Sequence, residues 1–128
     1  MARIPIYRIT SMKESFQELL PLSPAVLHIL LALSGDDRHG YGIMQEIARQ
    51  SAGRYKLGPG TLYDNLEKLL ENDLVRQLPK QAGDDDPRRR YYRLTSGGKK
   101  LLAMEIERLE ALVREAREHL RLNPRGAT

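Results

Sequence analysis

The sequence predicts a mainly helical fold with a small β-hairpin: a winged helix-turn-helix with an added N-terminal helix and a long C-terminal helix. Three observations predict this fold. Two amphipathic helical patterns flank a short connection at residues 51–57, two β-favouring segments follow at 74–78 and 90–94, and an apolar heptad pattern runs through 102–120. A hairpin that directly follows a helix-turn-helix has the position of a wing.

Length and composition limit the class of protein. The 128 residues suffice for one domain with a modest core, and 41% hydrophobic with 30% charged residues is typical of a soluble globular protein. The absence of cysteine excludes a disulfide framework, a thiolate metal site and a cysteine nucleophile. The N-terminus lacks the apolar core of a signal peptide, and the longest nearly apolar run, residues 25–33, is too short to span a membrane. We therefore expect a cytoplasmic protein.

The charge distribution favours a polyanionic partner only weakly. The net charge is +4, and residues 36–100 carry thirteen basic against ten acidic side chains, so most of the excess lies in the middle of the chain. Many soluble proteins that are equally basic bind nothing anionic. Charge alone therefore does not identify a partner.

Residues 1–21 are predicted to form an N-terminal extension with one short amphipathic helix. Ser11 and Glu14 make a capping box at its start, and Met12 and Phe16 begin its apolar stripe. A helix this short is marginal alone, so its stripe should dock on the body of the protein or on a second subunit. We assign Met12 and Phe16 to dimerisation.

Residues 22–95 are predicted to form the winged helix-turn-helix domain, which begins with a buried helix. Ser23 supplies a cap before a proline at the first helical position, and residues 25–33 are almost all apolar. A charged turn is expected at 36–38. We interpret His28, the polar interruption of this helix, as a core residue rather than a ligand.

The next two helices are predicted to form the helix-turn-helix itself. The first starts near Gly40 and ends near Gly53, and the second starts at Gly58 with Pro59 in its first position. On the second helix one face is apolar, through Leu62, Leu66, Leu69 and Leu70. The opposite face carries the short polar or charged residues Thr61, Asp64, Asn65 and Lys68. Only its first two turns, 60–68, suit a partner such as DNA, because the last turn is acidic.

The wing is predicted from two short strands around a polar loop. Residues 74–78 and 90–94 have β-forming character, and residues 80–87 carry turn-forming Gly, Asp and Pro. Arginines 88–90 lie on the returning arm. They suit contact with phosphate, and the alternative is a solvated turn neutralised by the aspartates at 84–86.

Residues 96–122 are predicted to form a long C-terminal helix, and residues 123–128 a disordered tail. Its apolar residues are spaced 4-3-4-3-4 and comprise Leu102, Ile106, Leu109, Val113, Ala116 and Leu120. A helix of this length would extend about 37 Å, beyond what a small winged helix can cover. We favour dimerisation through this seam over packing of the helix along its own domain.

The sequence contains no recognisable catalytic or metal-binding pattern. The three histidines lie on different predicted elements, and no nucleotide-binding or metalloprotease motif occurs. The aspartates at 84–86 are better explained as a solvated turn than as a cation site. We therefore expect neither an enzyme nor a cofactor.

Several short strings resemble the PadR family of bacterial transcriptional regulators, across residues 22–122. They are Leu-Ser-Pro at 22–24, His-Gly-Tyr-Gly at 39–42, Gly-Pro-Gly-Thr-Leu-Tyr at 58–63, and Arg-Tyr-Tyr-Arg-Leu-Thr at 90–95. Each is weak alone, but together and in order they are specific. The single C-terminal helix resembles the short-tailed branch of the family. At 72–74 the family tends to have a glycine before the leucine, and we expect Asn72 to accept the left-handed conformation that a helix stop needs.

The resemblance implies a homodimeric winged helix-turn-helix repressor that binds a palindromic operator in double-stranded DNA and often responds to a small molecule. Combined with the charge and polarity of the predicted elements, it places DNA contacts at Tyr41, Lys56, Gly60, Thr61, Tyr63, Asp64, Asn65, Lys68, Lys80, Arg88, Arg89 and Arg90. For Tyr41 and Tyr63, packing within the helix-turn-helix is an equally good interpretation. The alternatives for the whole protein are a winged-helix module that binds another protein, or a sensor whose DNA-binding head has decayed.

Overall fold

A computed structural model describes residues 16–79, 86 and 89–121. Its principal elements are α1 (Pro24–Ser34), β1 (Arg38–His39), α2 (Gly40–Gln50), α3 (Pro59–Glu71), β2 (Val75–Gln77), β3 (Tyr91–Leu94) and α4 (Ser96–Leu120). The mainly helical fold with a small antiparallel sheet is confirmed. The predicted capping box, Met12 and the tail at 123–128 lie outside the described residues. None of the described helices is both long and apolar enough to cross a membrane.

Helix α1 occupies the centre of the core. The Ser23 hydroxyl accepts a hydrogen bond from the Val26 amide at 3.2 Å, which caps the helix. Ile29 and Leu30 are fully buried, and α1 packs against α2, α3, α4 and β3. His28 is partly buried on this helix, and its ring stacks on the ring of Tyr55 with centroids 4.4 Å apart.

The sheet contains the predicted hairpin and one further strand. Strands β2 and β3 pair antiparallel, with Val75 opposite Leu94 and Gln77 opposite Tyr92, so each strand is slightly shorter than predicted. Strand β1 pairs with the other edge of β3 and gives the order β1-β3-β2.

The predicted charged turn at 36–38 is therefore partly wrong, because Arg38 is the first residue of β1. A two-residue strand is too short to show the alternation that reveals strands in a sequence. Its conformation depends on distant contacts instead. Asp37 accepts two hydrogen bonds from the Arg93 guanidinium on β3, at 2.8 and 3.1 Å, and Arg38 donates to the Ala32 carbonyl at 2.8 Å.

The end of α3 is tied directly to the start of α4. The residue with a left-handed backbone is Asp73, with φ of 59°, and not Asn72 as predicted. The Asn72 side chain instead donates to the Lys68 carbonyl at 2.8 Å. Thr95 connects the two helices, because its hydroxyl donates to the Asp73 carbonyl at 2.7 Å and accepts from the Gly98 amide at 3.0 Å.

Helix α4 is buried at its start and exposed at its end. Leu101 and Leu102 lie in the core, as does Phe16, so two of the residues that we assigned to dimerisation pack within their own chain. The last two-fifths of the helix carries exposed apolar side chains, including Leu112 and Leu120, at 54% and 68% exposure. Residues 22–95 are called the head below, and α4 extends beyond it.

Candidate nucleic-acid interface

The first two turns of α3 present a polar surface over a buried apolar face. Leu62, Leu66 and Leu69 are buried, as predicted, while Thr61 and Asp64 are exposed on the opposite side. No side chain caps the helix at Gly58, so amide groups of its first turn point outward from the helix end. The Asn65 amide nitrogen donates to the Thr61 carbonyl at 2.8 Å, which engages it with its own helix.

The two motif tyrosines have different surroundings. The hydroxyl of Tyr63 lies so close to Gly40, at the start of α2, that a β-carbon on Gly40 would overlap it. The ring of Tyr63 is nevertheless 48% exposed, and Tyr41 is 62% exposed. Tyr63 therefore joins α3 to α2 while keeping one side in solvent, whereas Tyr41 projects from the surface.

A depression of about 250 Å³ lies between α2, α3 and the returning arm of the wing. It is lined by His39, Gly40, Tyr41, Tyr63, Asp86, Arg89 and Arg90. The structure thus brings the two tyrosines together with two arginines of the wing. Arg89 and Arg90 are exposed. Lys80 and Arg88 lie outside the described residues.

His39 lines one wall of this depression, and no role was predicted for it from the sequence. Its Nδ1 accepts a hydrogen bond from the Gly42 amide at 3.0 Å and caps α2. Its ring packs edge-on against the ring of Tyr91, with centroids 5.2 Å apart. Burial, and secondly the charge of Arg89, lower the pKa of His39, which favours the neutral ring that this cap requires. Its position directly before a predicted helix start was the available signal.

Several basic residues beside the interface are engaged in ion pairs. Arg93 pairs with Asp37, and this hydrogen-bonded contact lowers the pKa of the Asp37 carboxyl. Arg49 pairs with Glu46 at 2.6 Å and likewise lowers the pKa of Glu46. Lys56, in contrast, is exposed in the connection just before α3. Lys68 is exposed further along α3.

This surface has the groups needed for recognition of a nucleic acid. Amide groups at a helix start and arginine side chains suit phosphate, and exposed hydroxyl and carboxylate groups on a helix suit base edges. Among the described residues, no group of three His, Asp or Glu side chains is arranged to hold a metal ion.

The PadR-like family model of transcriptional regulators matches residues 26–104, which is more than half of the chain. This chain belongs to the PadR-like family. The resemblance inferred from the motifs is thereby confirmed, and the protein is a DNA-binding regulator of transcription rather than an enzyme.

Individual relatives agree with the family assignment. The PadR-like chain is 36% identical over 89 residues to transcriptional regulator Rv3488 of Mycobacterium tuberculosis, covering 70% of this chain and 78% of that protein. A transcriptional regulator from Clostridium thermocellum has a TM-score of 0.63 and 26% identity, over 73% of this chain and 87% of its own. A PadR family regulator from Clostridium difficile has a TM-score of 0.59 and 25% identity, over 77% of this chain and 98% of its own.

The contact between Gly40 and Tyr63 can be tested by substitution in this PadR-like protein. Gly40→Ala should push the tyrosine ring outward into solvent and deform the depression. Because the ring is half exposed, the folded state should lose only about 1 kcal/mol. DNA affinity should fall about fivefold to tenfold, as measured by titration of duplex DNA.

Gly42→Ala is the matched control on the same helix. The added β-carbon would lie 3.5 Å from the His39 ring, an ordinary contact. Its DNA affinity should stay within about twofold of the original. Equal losses of affinity in the two variants would show that the Tyr63 contact does not shape the interface.

Proposed function

We propose that this PadR-like regulator binds a palindromic DNA operator as a homodimer and acts as a repressor. In this account the first two turns of α3 enter the major groove and the wing lies along the adjacent backbone. The observation that carries the proposal is the depression in which Tyr41 and Tyr63 adjoin Arg89 and Arg90. It makes α3 and the wing one continuous surface of aromatic, polar and basic groups.

Side chains on α3 divide into reading and non-reading positions. Thr61 and Asp64 are exposed near the start of α3, where base edges in the major groove would be reached. Glu67 and Glu71 are exposed further along and would repel phosphate. The axis of α3 should therefore tilt so that its start enters the groove and its acidic end leaves it.

Phosphate groups would be held from both sides of the groove. In this proposal Lys56 and the first-turn amides of α3 contact phosphates on one side, and the exposed Arg89 and Arg90 contact phosphates on the other. These contacts position the protein without reading sequence. Lys80 and Arg88, predicted for the same role, are part of the proposal by their sequence positions in the wing.

The exposed end of α4 supports the proposed homodimer. Leu112 and Val113 are 54% and 50% exposed, and Leu120 is 68% exposed. Val113 and Leu120 belong to the predicted heptad seam, and Leu112 lies beside Leu109 and Ala116 of that seam and widens it. Such an apolar helix face is stabilised by burial, and a second copy of the same helix offers a complementary surface.

The dimer also provides a route for control by a small molecule of unidentified chemistry. Operator half-sites have a fixed separation, so the two copies of α3 must keep a matching separation. A ligand bound between the two heads that changed this separation would change DNA affinity. We place the regulator in the cytoplasm with its DNA target.

Titration of duplex DNA at several salt concentrations tests the proposal. We expect low-micromolar or tighter binding that weakens steeply with salt, because lysine and arginine displace counterions from phosphate. Sedimentation of the saturated complex should show two chains per bound site. Absence of binding, or binding that is insensitive to salt, would favour a winged-helix module that recognises another protein.

A further inference from the structure

Glu105, on α4, is a charged side chain that lies almost entirely out of solvent, at 1% exposure. Its Oε1 accepts a hydrogen bond from the Arg108 Nε at 2.6 Å, and its Oε2 accepts from the Arg108 Nη2 at 3.0 Å. The Leu22 amide also donates to Oε2, at 3.0 Å. A carboxylate on α4 thus binds the backbone just before α1, 83 residues earlier in the chain.

Stability alone explains this arrangement poorly. Removing a carboxylate from water is costly, and a well-packed apolar side chain commonly stabilises such a site as well or better. Arg108 is on the same helix, and its bidentate contact holds the Glu105 carboxylate in one orientation, from which the hydrogen bond to the Leu22 amide reaches the head. Apolar packing would not require one orientation. The arrangement therefore suits a role in fixing geometry.

Glu105 provides a second hydrogen-bonded attachment between α4 and the head, in addition to one at the helix start. The first is at the helix start, where Thr95 binds the Asp73 carbonyl and the Gly98 amide. Glu105 follows Gly98 by seven residues, which is about 10 Å along the helix. Between the two attachments Leu101 and Leu102 pack in the core, and apolar packing of this kind restricts the direction of the helix less narrowly than a directional hydrogen bond does. The bond at Glu105 therefore defines the direction of α4 more closely.

A small change in the direction of α4 produces a larger displacement at the exposed end of the helix. Fifteen residues separate Glu105 from Leu120, the last residue of α4, a length of about 22 Å. A tilt of about 10° at Glu105 would displace the helix end by about 4 Å over that length. Operator half-sites lie about 34 Å apart per helical turn of DNA, so such a displacement changes which spacing fits.

We propose that Glu105 is a positioning residue that, through Arg108 and the Leu22 amide, sets the direction of α4 and hence the half-site spacing that the dimer accepts. The proposal rests on the proposed function, since it requires a dimer that binds two half-sites. It assigns a determinant of DNA specificity to a residue that is buried away from the DNA surface.

The test is a selection from duplexes that carry two half-sites separated by spacers of every length over one helical turn. The unaltered protein should prefer one spacing over its neighbours by about tenfold. Glu105→Gln removes the charge that holds Arg108, and its preference should fall to about threefold or less, spread over adjacent spacings. Arg108→Lys keeps the charge but loses the two-bond fork, so it should broaden the preference in the same direction.

Glu110→Gln is the control, because it makes the same change in charge at an exposed position on the same helix. It should keep the original spacing preference. Thermal denaturation identifies variants that remain folded, and Arg108→Lys carries the test if Glu105→Gln does not fold. A single, unbroadened spacing in a folded variant would overturn the role of Glu105. Failure of the unaltered protein to select paired half-sites would instead overturn the proposed function.

Discussion

Replacing Gly98 with alanine is expected to destabilise the folded chain by about 2–4 kcal/mol. A β-carbon at this position would overlap the Leu74 carbonyl oxygen and a methyl group of Leu94. The Leu74 carbonyl is held in place, since it accepts a hydrogen bond from the Thr95 amide at 3.2 Å. The gain of about 1 kcal/mol in helix propensity from glycine to alanine is too small to offset the overlap.

Gly97→Ala is the control that shows the effect of helix propensity without the steric overlap. Gly97 is in the same first turn of α4, and an added β-carbon would lie 3.6 Å from its nearest neighbour, the Phe16 ring. This variant should be as stable as the unaltered protein or slightly more stable. Urea denaturation of both variants measures the difference. Equal free energies of unfolding would contradict the close approach of α4 to the Leu74 carbonyl.

Replacing Arg89 and Arg90 together with alanine is expected to weaken DNA binding of all sequences by about tenfold or more at moderate salt. The slope of log affinity against log salt should decrease in magnitude by about four, because each of the two protomers in the complex loses two phosphate contacts. Both side chains are exposed, so the free energy of unfolding should change by less than about 1 kcal/mol. Titration of one specific and one unrelated duplex at four salt concentrations measures both effects.

Lys99 and Lys100 provide the matched control. Both are exposed near the start of α4 and outside the depression, and their joint replacement makes the same change in net charge. This double variant should alter affinity only slightly, through the long-range field of the protein. If both double variants gave the same change in salt slope, the arginines of the wing would not contact phosphate.

Local signals in the sequence predicted the elements that carry the interface. Glycine and proline at 58 and 59 located the start of α3, and the apolar spacing located its buried face. Turn-forming residues and β-forming segments located the hairpin. These features depend on residues that are near neighbours in the chain, so a single sequence reveals them.

Contacts between distant residues were not predictable in the same way. Two examples are the packing of Tyr63 against Gly40 and the hydrogen bond from the Leu22 amide to Glu105. Each joins separate elements, so no repeating pattern in the sequence indicates it. Glu105 is one of several glutamates on α4, and its spacing does not distinguish it from exposed ones. Leu102 shows the converse ambiguity, because a heptad position can face the chain's own core or a partner helix, and this one lies in the core.

The central claim, that the start of α3 reads bases in a symmetric operator, is tested most directly by selecting bound duplexes from a random pool. The account predicts an enriched palindrome for the unaltered protein. It also predicts that Asp64→Asn changes the preferred base at one position in each half-site and leaves the rest of the palindrome unchanged. Enrichment of no palindrome would contradict it. Selection of the unaltered protein's sequence by both Asp64→Asn and a Thr61→Val variant would contradict it as well.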